Sequence, residues 1–140
     1  MTEDIYRVIV PGVPGTALSP NSRVHWRVKA RDVRQARADT KHAGREGLCG
    51  YSFGSDPVDV RVRVLWPKGR KTMDPTNLAA SLKPHLDGLT DCGAWRDDNR
   101  VQIVDVEQVP YGKQDAGTRA VYPGGATILD LSRRREQEVA

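Results

Sequence analysis

The sequence predicts an α+β domain, a single mixed β-sheet of about four strands with two main helices packed on it. Three patterns carry that expectation. Val58, Val60, Val62, Val64 and Trp66 alternate with Asp59, Arg61, Arg63 and Leu65, the two-residue period of a strand buried on one face. Trp26, Ala30, Val33, Ala36 or Arg37, Thr40, Ala43 and Leu48 recur at helical spacing. Leu78, Leu82, Leu86 and Leu89 form a second helical stripe between two strand-like runs.

The elements follow in order. Ile5 to Val10 is a short β-branched run stopped by Pro11-Gly12, hence a first strand. A loop rich in Pro, Gly and Ser leads to the helix from Trp26 to Leu48, and the best-defined strand runs from Pro57 to Trp66. Pro75 stiffens the entry to the leucine helix, and Thr76 or Asn77 can cap it. Pro84 removes a backbone donor, so it either kinks that helix or marks where it begins. Val101 to Val109 alternates again, but one face changes character partway along. Thr118 to Tyr122 and Ala126 to Leu131 read as two strands, or one bent strand, around Pro123-Gly124-Gly125.

At 140 residues the chain has room for one core. The domain is expected over 1–131; from Ser132 to Ala140 three arginines and no apolar anchor suggest a flexible basic tail. Hydrophobic and charged contents of 38% and 29% suit a soluble globular protein. No run is long and apolar enough for a membrane span, so no membrane partner is expected, and none resembles a secretory signal. Cys49 and Cys92 form neither a disulfide framework nor a C-x-x-C site, which points to a reducing cytoplasm.

The formal charge of +4 is unevenly spread. Basic residues gather in Arg23 to Arg45 and in Lys68-Gly69-Arg70-Lys71, acids in Asp87 to Glu107. Arg27, Arg31, Arg34, Lys41 and Arg45 recur on one face of the first helix, which is either a solvated face or a surface for phosphates. Lys83 and Asp87 lie four apart on a flank of the leucine stripe. Asp74 precedes this helix; Asp97 and Asp98 follow it. If the acids meet, their repulsion calls for a cation, and Mg²⁺ suits one or two carboxylates completed by water and phosphate. The alternative is that Asp74 caps a helix and Asp97-Asp98-Asn99 is a polar turn.

The run Asp74-Pro75-Thr76-Asn77-Leu78, Lys83, Asp87-Gly88-Leu89 and Gly93-Ala94-Trp95-Arg96-Asp97-Asp98 resembles the central motif of the RusA family of Holliday junction resolvases. The first strand, the loop at Pro20 to Arg23 and the basic helix resemble the family's opening. The resemblance implies a Mg²⁺-dependent crossover junction endodeoxyribonuclease, with Mn²⁺ able to substitute, acting on four-way and branched DNA as a homodimer. It implies metal binding by Asp74 and Asp98 with Asp97 beside them, an active-site lysine at Lys83, and support from Thr76, Asn77 and Asp87. Arg23, Arg27, Arg31, Arg34, Lys41, Lys68, Arg70 and Lys71 are the candidate backbone contacts. The host would be a bacterial or phage-infected cell. Two departures stand out: Thr76 replaces the family's second aspartate, and Asn77 and Lys83 are three residues further apart. A branched-DNA-binding protein that has lost catalysis is therefore the competing expectation. Among the histidines, His42 and His85 read as structural or solvated, whereas His25 beside Trp26 is open to DNA.

Overall fold

The computed structural model describes residues 4–20 and 22–134. Strand β1 (Tyr6–Pro11) is followed by a 3₁₀ turn (Thr16–Leu18) and helix α1 (Trp26–Leu48). Then come β2 (Val58–Leu65), α2 (Pro75–Ser81), α3 (Lys83–Asp91), β3 (Val101–Val109), a short helix α4 (Ala116–Val121) and β4 (Ala126–Arg133). The sheet order is β1-β4-β2-β3, with β2 and β3 parallel and the other neighbours antiparallel. This is the expected α+β domain with a four-stranded mixed sheet.

Val58, Val60, Val62 and Val64 of β2 are buried, and with Val8, Val10, Leu129 and Leu131 they form the sheet's inner face. Ala43 and Leu48 of α1, Leu78 of α2, Leu82 and Leu89 of α3 close the core over it, together with Trp66 and Trp95. Each buried Val or Leu contributes about 1.5–3 kcal/mol when withdrawn from water, which is why alternation alone locates β2. The outer face carries a small cluster of Leu65, Ala126 and Ile128 and charge pairs such as Arg7–Asp130 and Arg63–Glu107.

The change of character along β3 has a cause. Val60 pairs with Ile103 but Arg61 with Asp105, so Val104 is an extra residue at a bulge. Beyond it the inward phase passes to Val106, and Val104 is left 38% exposed.

Three expectations are corrected here, and one of two open alternatives is chosen. Thr118 to Tyr122 is not a strand: Asp115 caps α4, its Oδ1 accepting from the Thr118 N–H at 2.7 Å, and that local bond overrides the β-branched Thr118 and Val121. The leucine stripe spans two helices that meet at Leu82, and Pro84 lies in the first turn of α3, where a missing N–H costs least. The cap of α2 is Asp74, with Pro75 as its first helical residue, so Thr76 and Asn77 lie inside the helix. Finally, the ordered domain runs past residue 131. Ser132 is buried in β4, Arg133 bonds Asp56 and the Tyr51 hydroxyl, and Arg134 bonds Asp59. Residues 135–140 of the expected tail lie outside the described residues.

Helices α1 and α3 approach closely at two glycines. A Cβ on Gly88 would come within 2.5 Å of the Arg37 carbonyl oxygen, and one on Gly44 within 2.6 Å of Cys92 Sγ. Arg37 also clasps Asp91 across this seam, donating from both Nε and Nη2. The buried residues of α1, from Thr40 to Leu48, all fall in its C-terminal half. Trp26 is therefore not part of the buried stripe; it is 67% exposed.

Candidate functional site

The break at Leu82 sets the direction in which Lys83 leaves the first turn of α3, and one turn later Asp87 comes to the same flank. Asp98 reaches them from the opposite end of the crossover. Trp95 brings it there: its ring is 2% exposed, its Nε1 donates to Thr90 Oγ1 at 2.6 Å, and the Ala94 N–H donates to the Leu89 carbonyl. Gly93, at φ 87°, makes the tight turn between helix and anchor.

The result is one ammonium between two carboxylates. Lys83 Nζ lies 2.6 Å from Asp98 Oδ2 and 3.1 Å from Asp87 Oδ1. The hydrogen bond to Asp98, then that to Asp87, raises the lysine's pKa above its ordinary value. The same bond to Lys83 holds the Asp98 carboxyl below the usual range. Lys83 is 62% exposed, so this arrangement is a surface feature that adds little to stability.

Asp74 is engaged differently. Its Oδ1 accepts from the N–H groups of Thr76 and Asn77 at 3.0 and 3.2 Å, the geometry of a helix cap. The loop before it is fixed by Gln108, which accepts from the Met73 N–H and from Trp66 Nε1 and donates back to the Met73 carbonyl. Asp97 Oδ1 accepts from the Asn99 N–H, closing a polar turn. Among the described residues no group of three or more His, Cys, Asp or Glu is placed to hold a metal ion, so Asp74, Asp97 and Asp98 do not form a three-carboxylate cluster.

Two grooves flank the loop that carries the 3₁₀ turn. One, of about 420 Å³, is lined by Ser19, Ser22, Val24, Met73, Asp74 and Asn77. The other, of about 290 Å³, is lined by Leu18, Lys29, Val33, Lys83, Pro84 and Asp87. Lys29 thus shares a groove with Lys83 and Asp87, and the stripe pattern of α1 did not single it out.

Arg23, Arg27, Arg34, Lys68 and Lys71 are exposed. Arg31 is exposed as well, with Asp32 at 3.6 Å. Two expected backbone contacts are otherwise employed. Arg70 lies over the Trp66 ring at 5.2 Å and donates to the Pro14 carbonyl, and Lys41 is half-buried on the side of α1 near Asp91. His42 pairs with Glu46 in the open, and His25 caps α1, its Nδ1 accepting from the Arg27 N–H. His85 is buried against a cavity of about 240 Å³ that Asp32, Gln35 and Asp39 also line, and its Nδ1 has no partner among the described residues. Burial pushes its pKa down to about 4. No helix among the described residues is long and apolar enough to cross a membrane.

No family model matches the chain. Over 81 residues it is 37% identical to an uncharacterized protein of Xylella fastidiosa (strain Temecula1), a stretch covering 56% of this chain and 52% of that protein. The chain therefore spans about half the length of the curated relative it matches.

Proposed function

We propose that this chain is a metal-dependent, structure-selective endodeoxyribonuclease that hydrolyses phosphodiesters in Holliday junctions and related branched DNA. The observation that supports it is the meeting of Lys83, Asp87 and Asp98, three polar members of the RusA-like motif, beside grooves bordered by Lys29 and Asp74.

The metal we assign is a hydrated divalent ion rather than a densely liganded one. Asp87 and Asp98 already aim at a shared cation, the Lys83 ammonium, and Mg²⁺ needs only one or two carboxylates, its remaining ligands being water and phosphate. Asp98, with Asp74 across the motif, would hold Mg²⁺ or Mn²⁺, which when bound polarises the scissile phosphate and activates water.

The chain's own groups do the rest. Asp87 also bonds Lys83, so were Asp98 to ligate the metal the ammonium would keep a partner at the groove and could donate a remaining N–H to a phosphate oxygen as charge develops there. Arg23, Arg27, Arg31, Arg34, Lys29, Lys68 and Lys71 supply backbone contacts, which give affinity but little sequence choice. Two symmetric strands to be cut favour a homodimer, and a bacterial or phage-infected cytoplasm is the setting that the resemblance implies.

Cleavage of a synthetic four-way junction tests the reading. Nicking in Mg²⁺ or Mn²⁺, absent in EDTA and strongly reduced in Asp98→Asn, is the expected result. A specific observation favours the rival, a branched-DNA-binding protein without catalysis: Thr76 stands where the family has its second aspartate, and no three-ligand group forms among the described residues. Tight junction binding by folded protein with no nicking under either metal decides for that rival.

A further inference from the structure

We propose that Trp26, framed by His25 and Arg27, is a stacking platform for an unpaired DNA base next to the candidate site; the inference rests on the nucleic-acid reading above.

The three tryptophans have separate fates. Trp66 and Trp95 are 0% and 2% exposed, whereas Trp26, the first residue of α1, is 67% exposed. An indole in water at a helix start is not explained by the core. Its neighbours give it a shape: the His25 ring lies 5.6 Å away, inclined by 29°, and the Arg27 guanidinium is 5.3 Å from the indole centroid. The bond from the Arg27 N–H to His25 Nδ1 fixes the imidazole at the cap, so the platform is prearranged.

Charge identifies the occupant. Arg23, Arg27 and Arg34 are exposed and make no ion pair among the described residues, and Arg31 has only Asp32 at 3.6 Å. An exposed aromatic among unneutralised guanidiniums matches a strand whose base lies on the ring while its phosphates meet the cations. Position links it to the candidate site, because Val24 and Ser22, just ahead of Trp26, share a groove with Asp74 and Asn77. Inside a duplex both faces of a base are covered by its neighbours. Away from a duplex end, only an unpaired base, at a branch point or in a single strand, can lie against the indole.

Because the other two indoles are buried, Trp26 is the tryptophan that a solute reaches, and fluorescence reads it directly. The probes are oligo(dT), the same oligomer with abasic positions, and a blunt duplex of equal length. Oligo(dT) is expected to quench the emission and protect it from iodide; the abasic oligomer and the duplex bind through phosphates without doing so. Trp26→Ala should weaken oligo(dT) binding about tenfold and leave duplex binding unchanged, and Trp26→Phe should recover most of the loss. Unaltered oligo(dT) affinity in Trp26→Ala, with both DNAs still bound, overturns the platform and leaves the DNA reading standing. If folded protein binds a four-way junction but none of the three, the platform falls and the junction reading stands; if it binds no DNA, the junction included, both fall.

Discussion

The heads of α2 and α3 set two uses of a carboxylate side by side. Asp74 accepts from two backbone N–H groups and needs no cation to be stable there, while Asp98 and Asp87 share the ammonium of Lys83. A cap satisfies donors that a helix always leaves open, so it says nothing of a ligand. A convergent pair of acids is an electrostatic cost until something positive arrives, so it marks a place where a cation belongs.

The largest expected effect separates these roles. If the proposed reaction holds, Asp98→Asn should lower kcat in junction cleavage on the order of a hundredfold with little change in Tm, because the group is on the surface and that reaction uses its charge. Asp74→Ser sharpens the contrast: serine keeps the cap, so a fall in cleavage without a fall in Tm assigns Asp74 to the metal, whereas unchanged values for both assign it to the cap alone.

His85, in the third residue of α3, tests the interior behind the site. With its folded pKa near 4 against 6.5 for a free histidine, the unfolded chain binds the proton first, so stability is full above pH 6.5 and declines as pH falls toward 4. The loss should reach about 3 kcal/mol in urea titrations at pH 4. His85→Leu should flatten that pH profile; a slope unchanged by the substitution would contradict the assignment.

Gly88→Ala probes the seam beneath the same helix. Its Cβ meets the Arg37 carbonyl oxygen and Thr40 Cβ, so the helices must part, at a cost of about 1–3 kcal/mol read as a lowered Tm. Gly93, equally glycine but with nothing within 4 Å of a Cβ, should lose stability on mutation to alanine through its positive φ instead.

Much of the architecture was legible from local pattern. Helix α1 has the bounds its periodicity implies, and Pro84 correctly offered the start of α3 as one of two options. The phase change in β3 was visible, but its cause was not, since a bulge is defined only by the partner strand. α4 was misread because β-branched residues outweighed a short capped turn. At the site, the i,i+4 geometry of Lys83 and Asp87 is a property of any helix and so could be read. The arrival of Asp98 depends on the burial of Trp95, a tertiary event, and spacing puts Trp26 on one stripe with Leu48 without telling which half of a long helix is covered.

The strand order has a consequence for biogenesis. β1 pairs with β4, which also pairs with β2, so the last of the four strands in chain order fills the middle of the sheet. A nascent chain emerging from the ribosome cannot complete its sheet until Ala126–Arg133 is free, and β1 waits through more than a hundred residues of synthesis for its neighbour. Such long-range closure makes for slow folding, and a premature stop within β4 removes the centre of the sheet rather than its margin.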